Sequence, residues 1–265
     1  MKKWWLVGVA LILVIVVGGM VMSNSRKETR NEILETGIEQ KTEKVETLKF
    51  AVMADIHNDT ESLAKALVHA RANGDEMVLV AGDLTIDGTK AEEEKIKTTL
   101  EDGGIEYFVV PGNHDTYKNV WLWQEKFQSV RKGGLKFLLI DNSNWRGLGD
   151  GQKRWLGDEL PECKIIRCVA VMHMPLLNNF SKHVMGEYSK TTAMEAVWLK
   201  NILLENKVTT GYSGHLHYSS SYTVDGWETV LVGAISKERN TQTPRYSEVT
   251  VFDDGNVENK VKLII

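Results

Sequence analysis

The sequence predicts an α/β domain that follows an N-terminal membrane segment. From Leu48 onward, short apolar runs typical of buried strands alternate with stretches that have helical periodicity. The first residues instead contain a long apolar run without any charge. The 265 residues, 42% of them hydrophobic and 26% charged, are sufficient for one domain with a large core plus an appendage.

The N-terminal appendage, residues 1–22, has the length of a membrane-spanning helix. Residues 4–22, WWLVGVALILVIVVGGMVM, provide 19 positions without a charge, and about 20 apolar residues cross a bilayer as a helix. A cleaved signal peptide is the alternative, because small residues follow at 23–25, but the apolar core of such a peptide spans only about 7–15 residues. We therefore expect an uncleaved single-pass transmembrane helix behind a short cytoplasmic tail.

The charges that flank this anchor determine its orientation only weakly. Lys2 and Lys3 precede it, and Arg26, Lys27 and Arg30 follow it. Basic flanks favour the cytoplasmic side, so the two nearly balanced flanks compete. Because the leading segment is very short, we expect the N-terminus to be cytoplasmic and the main domain to lie outside the cytoplasm.

A polar linker, residues 23–47, and the main domain, residues 48–265, are predicted to follow. The linker is rich in Glu, Lys and Thr, as in a solvated tether. In the domain, apolar runs predict buried strands at residues 48–54, 77–82, 105–112, 135–141 and 165–173. Helical stretches lie at residues 61–72, 91–101, 120–130, 152–160 and 194–205. Strand-like segments at 219–224, 229–232, 246–252 and 257–263 predict a second, more antiparallel sheet.

Charge and cysteine usage exclude several classes of partner and site. The formal net charge of −4 gives no basic field, which makes nucleic acid an unlikely partner. The two cysteines, Cys163 and Cys168, have no CxxC or Cys/His spacing, so neither a thiolate metal site nor a disulfide framework is expected. Five residues apart on a strand, they would point to opposite faces. We expect two buried thiols.

Polar side chains follow the apolar runs where the predicted strands end. They are Asp55 and His57 in ADIHND, Asp83 in AGDLT, Asn113 and His114 in PGNHD, His173 in VMHMP, and His215 and His217 in GHLH. A lone histidine at a strand end is usually a hydrogen-bonded structural residue, and GD or GN is often only a turn. Together, however, they lie where the loops of an open α/β sheet build their sites. The sequence therefore predicts a functional site at this edge.

The donor types in this set favour metal binding. Carboxylate, amide and imidazole groups without a thiolate suit two first-row divalent cations, and an aspartate can bridge such a pair to offset its repulsion. On an extended backbone, His215 and His217 would point in the same direction, with Leu216 turned away. This spacing predicts that both imidazoles are ligands.

The ordered motifs DIH, GD, GNHD, H and GHLH resemble the five blocks of the calcineurin-like metallophosphoesterases, over residues 50–265. The stretch FLLIDNSNWRGLGDGQKRWLGDEL is also similar to the cyclic-nucleotide-phosphodiesterase-like branch, through Asp141, Gln152, Trp155 and Leu156. The resemblance implies a four-layer αββα sandwich, in which two packed mixed β-sheets are flanked by helices. It also implies a dinuclear metal centre at one edge of the sheets.

The resemblance implies a role for each candidate residue. One metal would be bound by Asp55, His57 and His217, the second by Asn113, His173 and His215, and Asp83 would bridge them. The cations would be Mn, Fe, Zn or Ni. His114 would protonate the leaving group, with Asp87 or Asp115 as candidates to orient it. GDLTIDG lacks the GDxxDRG spacing of protein phosphatases, which argues against a protein serine/threonine phosphatase.

We therefore expect a membrane-anchored, dinuclear metal-dependent phosphoesterase that acts by attack of a metal-bridging hydroxide. A phosphodiester or cyclic nucleotide is favoured as the small-molecule substrate. The alternatives are a phosphomonoesterase of the same fold and a metal-binding, non-catalytic scaffold or receptor. A degenerate scaffold would lack ligands, whereas every ligand of the motifs is present.

Substrate specificity is expected to depend on two segments. The loop at residues 176–191 contains Asn178, Asn179, His183 and Tyr188, and functional variation concentrates in such loops. His183 is either a substrate contact or an ordinary solvated histidine. Trp145 and Arg146 either stack a base and meet a phosphate or cover the domain surface.

Overall fold

Two mixed β-sheets and four α-helices form the part of the chain that the computed structural model describes, residues 44–123, 125–238 and 240–265. The strands are β1 (Glu46–Met53), β2 (Met77–Ala81), β3 (Glu106–Val110), β4 (Gln128–Lys132), β5 (Leu135–Ile140), β6 (Arg167–Met172), β7 (Thr210–Ser213), β8 (Ser219–Val224), β9 (Trp227–Val232), β10 (Arg245–Phe252) and β11 (Val257–Leu263). The helices are α1 (Thr60–Ala72), α2 (Lys90–Asp102), α3 (Asp150–Glu159) and α4 (Lys190–Glu205). Two 3₁₀ turns, His114–Thr116 and Leu160–Lys164, complete the elements.

The first sheet has the strand order β11-β10-β1-β2-β3, and the second has the order β4-β5-β6-β7-β9-β8. In the first sheet β1, β2 and β3 are parallel, whereas β10 and β11 are antiparallel additions. In the second sheet β5, β6, β7 and β9 are parallel, and β4 and β8 form antiparallel edges. Both sheets therefore present the carboxyl ends of several parallel strands.

Three hydrophobic cores define the layers. Alternate residues of β1 point to opposite faces, so Phe50 and Val52 join the core between the sheets while Ala51 and Met53 join the core under α1 and α2. The second sheet repeats the pattern, with Phe137 in the central core and buried residues of α3 and α4 over its other face. Helix, sheet, sheet and helix thus pack in sequence around a buried centre. Residues Lys44–Ile265 are one compact unit with its own cores, so we expect them to fold alone.

Side-chain caps begin three of the helices. The Asp59 carboxylate accepts a hydrogen bond from the Ser62 N–H (2.9 Å) at the start of α1. Thr89 and Glu92 form a reciprocal capping box at the start of α2, and Ser189 caps α4. These caps fix the points at which the chain leaves the sheet edges.

Two secondary-structure predictions are wrong. Residues 120–123 and 125–127 are not helical, and the chain continues into β4. The Leu122 N–H donates to the carboxylate of Glu93 (2.8 Å), and the Trp121 and Trp123 rings pack together (4.9 Å between centroids), so the apolar spacing reflects loop packing. The C-terminal strands do not form a separate sheet, because β8 and β9 complete the second sheet while β10 and β11 complete the first.

The cysteine prediction is also wrong, because Cys163 and Cys168 form a disulfide with their Cα atoms 5.4 Å apart. Only Cys168 lies on a strand. Cys163 belongs to the 3₁₀ turn Leu160–Lys164, where the chain reverses before β6, so the opposite-face rule for strands does not apply.

The predicted transmembrane helix (residues 4–22) and most of the predicted linker lie outside the described residues. Within the described part, no helix has the length and apolar character needed to cross a membrane. The end of the predicted linker, Glu46 and Thr47, belongs to β1.

Candidate metal centre

The eight polar residues predicted at strand ends lie together along one edge of the two sheets. Five of them line a cavity of about 570 Å³: Asp83, Asn113, His114, His215 and His217. The remaining three, Asp55, His57 and His173, are buried in contact with the first set. The carboxyl ends of β1, β2, β3, β6 and β7 supply them all, as expected for loops at the end of parallel strands.

The backbone of this edge is left-handed at several non-glycine residues. The φ angles are 53° at Asp55, 45° at His57, 52° at Asp83, 69° at His215 and 54° at His217. Each such residue costs on the order of 1–3 kcal/mol and persists only when its surroundings fix it. Here the Ile56 and His57 N–H groups both donate to the Asp83 carbonyl (2.8 and 3.1 Å), which joins the first two loops.

The expected extended backbone at His215 and His217 is therefore wrong. Turns at both residues direct the two rings to different donor groups, and Leu216 lines the cavity instead of turning away from it. Close backbone contact also explains one glycine of the motifs. A Cβ on Gly112 would lie 2.1 Å from the Asp83 nitrogen, so any larger residue would separate the loops after β2 and β3.

The first donor group consists of Asp55, His57, Asp83 and His217, whose ligand atoms all lie within 4.8 Å of one another. His57 Nε2 is 3.2 Å from His217 Nε2 and 3.7 Å from Asp83 Oδ2. Asp55 Oδ1 lies 3.7 Å from His217 Nε2. This group is able to hold a metal ion.

The second donor group shares Asp83 with the first and adds His173 and His215. His173 Nε2 lies 3.3 Å from Asp83 Oδ2 and 3.1 Å from His215 Nδ1. The Asn113 amide oxygen is 3.1 Å from the same His173 nitrogen. The structure thus brings all seven predicted ligands together, with the Asp83 carboxylate common to both donor groups.

The donor set fits cations rather than a hydrogen-bonded polar cluster. His173 Nδ1 is 2.9 Å from the Ala81 carbonyl, an acceptor, so Nδ1 carries a proton and Nε2 is the ring atom that faces Asp83, Asn113 and His215. Among the described residues, Asp55 Oδ2 and His215 Nε2 are buried without a hydrogen-bond partner. Buried polar atoms normally have partners, and a cation satisfies such convergent lone pairs.

Burial and neighbouring charges shift the pKa values of the buried aspartates and histidines in the two donor groups. Burial opposes the charged form of His173, but the Asp83 and Asp55 carboxylates outweigh it and raise the His173 pKa to about 9. Burial raises the pKa of Asp55 to about 8. Burial would also raise the pKa of Asp83, but the neighbouring His173 and His57 hold it well below its usual range. Asp83 is therefore the carboxylate that stays ionised at the centre of the cluster.

His114 lies on the cavity wall beside this cluster. Its backbone N–H donates to Asp83 Oδ1 (3.0 Å), and its ring Nδ1 is 2.6 Å from the Ile86 carbonyl. The carbonyl thus takes the orienting role that Asp87 or Asp115 was expected to have. Asp115 instead accepts hydrogen bonds from Leu84, Thr85 and Gly112 and ties the loops after β2 and β3 together.

The opposite wall of the cavity contains the residues expected to set specificity. His183 stacks on His215 with ring centroids 4.0 Å apart, and its Nδ1 bonds to the Glu187 carboxylate. Trp145 and Tyr188 pack edge to face at 4.9 Å and also line the cavity. Arg146 is exposed and does not line it, whereas Asn178 and Asn179 line a neighbouring groove. Sequence spacing alone gave no sign that His183 would lie against His215.

The residues shared with the phosphodiesterase-like branch have structural contacts. The Asp141 N–H donates to Gln152 Oε1, and Gln152 Nε2 donates to the Asp141 carbonyl, both at 2.7 Å. Leu156 is buried in the core under α3, and Trp155 packs against Phe127. These contacts fix the start of the loop after β5, and none of the four residues lines the cavity.

Comparisons with known proteins agree with this geometry. The sequence profile of the calcineurin-like phosphoesterases matches residues 48–219. A probable glycerophosphodiester phosphodiesterase from Arcobacter nitrofigilis is 24% identical over 114 residues, which cover 38% of this chain and 42% of that relative. The match therefore spans less than half of the relative's length.

Solved structures show the same fold at low sequence identity. A dimetal phosphatase from Danio rerio superposes with a TM-score of 0.63 and 15% identity, covering 83% of this chain and 100% of that one. A purple acid phosphatase from yellow lupin (Lupinus luteus) seeds has a TM-score of 0.61 and 14% identity, covering 82% of this chain and 51% of that one. The chain belongs to the calcineurin-like phosphoesterase family.

Proposed function

We propose that the protein is a phosphodiesterase with a dinuclear metal centre. The observation that carries this proposal is the pair of donor groups that share the buried Asp83 carboxylate at one cavity. Asp55, His57 and His217 would hold one cation, and Asn113, His173 and His215 the other. Bound divalent cations of this kind activate water and withdraw charge from phosphoryl oxygens.

His114 is the proposed general acid. Because Nδ1 donates its proton to the Ile86 carbonyl, Nε2 is the nitrogen that exchanges a proton with the substrate. The ring lies 4.9 Å from that of His57, on the side of the first donor group. From this wall His114 would protonate the leaving oxygen, while His183, on the side of His215, would contact the phosphoryl group or the second ester substituent.

The cavity lining favours a diester over a monoester. Among the described residues that line it there is no Lys or Arg, the side chains that most often recognise a dianionic phosphate. Tyr117, Trp145, Tyr188 and Tyr218 instead provide aromatic walls. A diester carries a single negative charge and two organic substituents, which suits this lining.

The test uses residues 44–265, metal analysis, and paired substrates. Bis(p-nitrophenyl) phosphate and p-nitrophenyl phosphate compare a diester with a monoester, and kcat/KM should be higher for the diester. Preference for the monoester would favour the phosphomonoesterase alternative. Bound metal without turnover across monoesters, diesters and cyclic nucleotides would favour a scaffold or receptor.

The His114→Ala variant tests the acid. A general acid contributes about 10²–10⁴-fold, and mainly when the leaving oxygen is basic. We expect a severe loss on alkyl leaving groups, a smaller loss on p-nitrophenyl, and unchanged metal content. His69→Ala, on α1 and outside the cavity, is the matched control. Equal losses on both ester types would mean that His114 positions the phosphate instead.

We further propose that the enzyme is anchored by residues 4–22 with its catalytic domain outside the cytoplasm. The disulfide between Cys163 and Cys168 supports this location, because disulfides persist in oxidising compartments. Protease treatment of intact spheroplasts should digest the domain. Protection of the domain, while an external control protein is digested, would mean that the opposite orientation is correct.

A further inference from the structure

A second concavity of about 510 Å³ lies beside the catalytic cavity, between the loop after β6 and the start of α4. Much of its lining is apolar: Leu176, Leu177, Val184, Met185, Val197 and Val224. Lys200 and Asp225, which also line it, bond to each other at 3.1 Å. Lys182 and Glu187 line it as well, and Glu187 bonds to His183. The groove therefore presents apolar side chains flanked by charged ones.

This groove adjoins the catalytic cavity. Ser181 lines both. His183 lines the cavity and Glu187 lines the groove, and the two side chains bond to each other across the boundary. A substrate whose phosphate lies near His183 can thus extend a substituent into the groove without leaving the protein surface.

Large apolar side chains are exposed around the same loop and helix. Phe180 is 95% exposed, Tyr188 71% and Met194 65%. Exposed large apolar side chains beside a cavity are typical of surfaces that meet a ligand, partner or membrane. The predicted membrane anchor at residues 4–22 would keep the domain attached to a bilayer, where amphiphilic molecules are concentrated.

We propose that the groove binds an apolar chain of the substrate, so that the physiological substrate is an amphiphilic phosphate diester. The inference rests on the proposed phosphodiesterase function and narrows its substrate class. The phosphate lies in the catalytic cavity, and an alkyl or acyl chain of the non-leaving substituent lies along the apolar lining. Hydrolysis breaks the P–O bond to the leaving alcohol; water supplies the new oxygen on phosphorus, and the alcohol leaves with a proton.

The experiment compares alkyl p-nitrophenyl phosphates whose alkyl group grows from methyl to octyl, below their micelle-forming concentrations. Each buried methylene is expected to raise kcat/KM of metal-loaded residues 44–265 about fourfold until the groove is filled. The same series of alkylphosphonates, measured by calorimetry, should gain affinity in equal steps. A flat dependence on chain length in both series would overturn the proposal.

Two exposed valines provide matched variants. Val197→Lys places a charge in the groove at a position that is 42% exposed, and should flatten the chain-length dependence. Val68→Lys makes the same change on α1, at a position 65% exposed and far in sequence from the groove, and should leave the dependence intact. If kcat/KM depends on alkyl chain length in Val197→Lys as it does in the unsubstituted protein, the alkyl chain binds elsewhere and the proposal is overturned.

The two proposals fail in different ways. If no ester is cleaved, the methyl one included, the phosphodiesterase function is wrong, and the phosphonate affinities then decide the groove alone. If the methyl ester is cleaved but chain length has no effect on rate or affinity, the phosphodiesterase function stands and the groove proposal is wrong. A third outcome is that neither series depends on chain length, but the protein binds vesicles and Phe180→Ser abolishes that binding. The exposed surface would then contact a bilayer, and the groove proposal would be wrong.

Discussion

The Asp75→Asn substitution should change how stability depends on pH. Asp75 lies between α1 and β2 and is only 6% exposed, and neither carboxylate oxygen receives a hydrogen bond from the described residues. Glu248, also buried, lies nearby and is paired with Lys49 (3.7 Å) and Lys262 (3.2 Å). Burial, reinforced by Glu248 and opposed by the two lysines, raises the pKa of Asp75 from 3.8 to about 7.

Proton linkage gives the direction in which stability changes with pH. Between the two pKa values the folded protein holds a proton on Asp75 that the unfolded chain has released, so stability falls as the pH rises through this window. Each pKa unit is worth about 1.36 kcal/mol, which for this shift sets a ceiling of roughly 4 kcal/mol. Relaxation of the site and water penetration reduce the effect over the whole window to about 2 kcal/mol.

Urea denaturation of residues 44–265 at pH 5 and pH 8 measures this effect. The free energy of unfolding of Asp75→Asn, relative to the unsubstituted protein, should rise by about 1 kcal/mol between the two pH values, because only the part of the window above pH 5 is sampled. Asp102→Asn, an exposed carboxylate at the end of α2, is the control for loss of one negative charge. A relative stability of Asp75→Asn that is the same at both pH values would refute the reasoning.

Three further variants test the metal site, the disulfide and the second sheet. Asp83→Asn removes the carboxylate shared by both donor groups and should lower metal content and turnover together, as measured by elemental analysis and rate; two metals per chain with near-normal turnover would contradict the bridging role. Replacing Cys163 and Cys168 with serine opens a loop with a sequence separation of 5 and should cost about 2 kcal/mol in urea denaturation, and no change would mean that the disulfide does not stabilise the domain. Gly211→Ala should cost about 1–3 kcal/mol, because its Cβ would lie 2.4 Å from the buried Trp227 ring; a smaller loss would show that the ring can move aside.

The metal-site residues were predictable because their chemistry is local to short motifs. Asp55, Asp83 and His173 each follow an apolar run, and parallel strands bring such ends to one edge whatever the details of packing. The α/β alternation is predictable for the same reason, since buried strands in both sheets are continuous apolar runs. Hydrophobic pattern and donor type thus determined the fold class and the candidate ligands.

The errors share a different cause, which is that local spacing does not report long-range contacts. Residues 120–127 have an apolar spacing that a helix could use, yet Glu93 fixes the Leu122 backbone and a loop results. The spacing of Cys163 and Cys168 excludes a disulfide on a strand, but a 3₁₀ turn brings the sulfurs together. In each case the deciding partner or turn was not visible in the pattern.

The sequence by itself determined the α/β class, the order of the donors and the predicted apolar segment at residues 4–22. Only the tertiary structure decided the left-handed turns at His215 and His217, because they depend on contacts with other loops, such as the hydrogen bond from the His215 N–H to Asp55. It also decided that His183 lies against His215 and that an apolar groove adjoins the catalytic cavity. These features join residues distant in the chain, and such contacts form only when the two sheets pack.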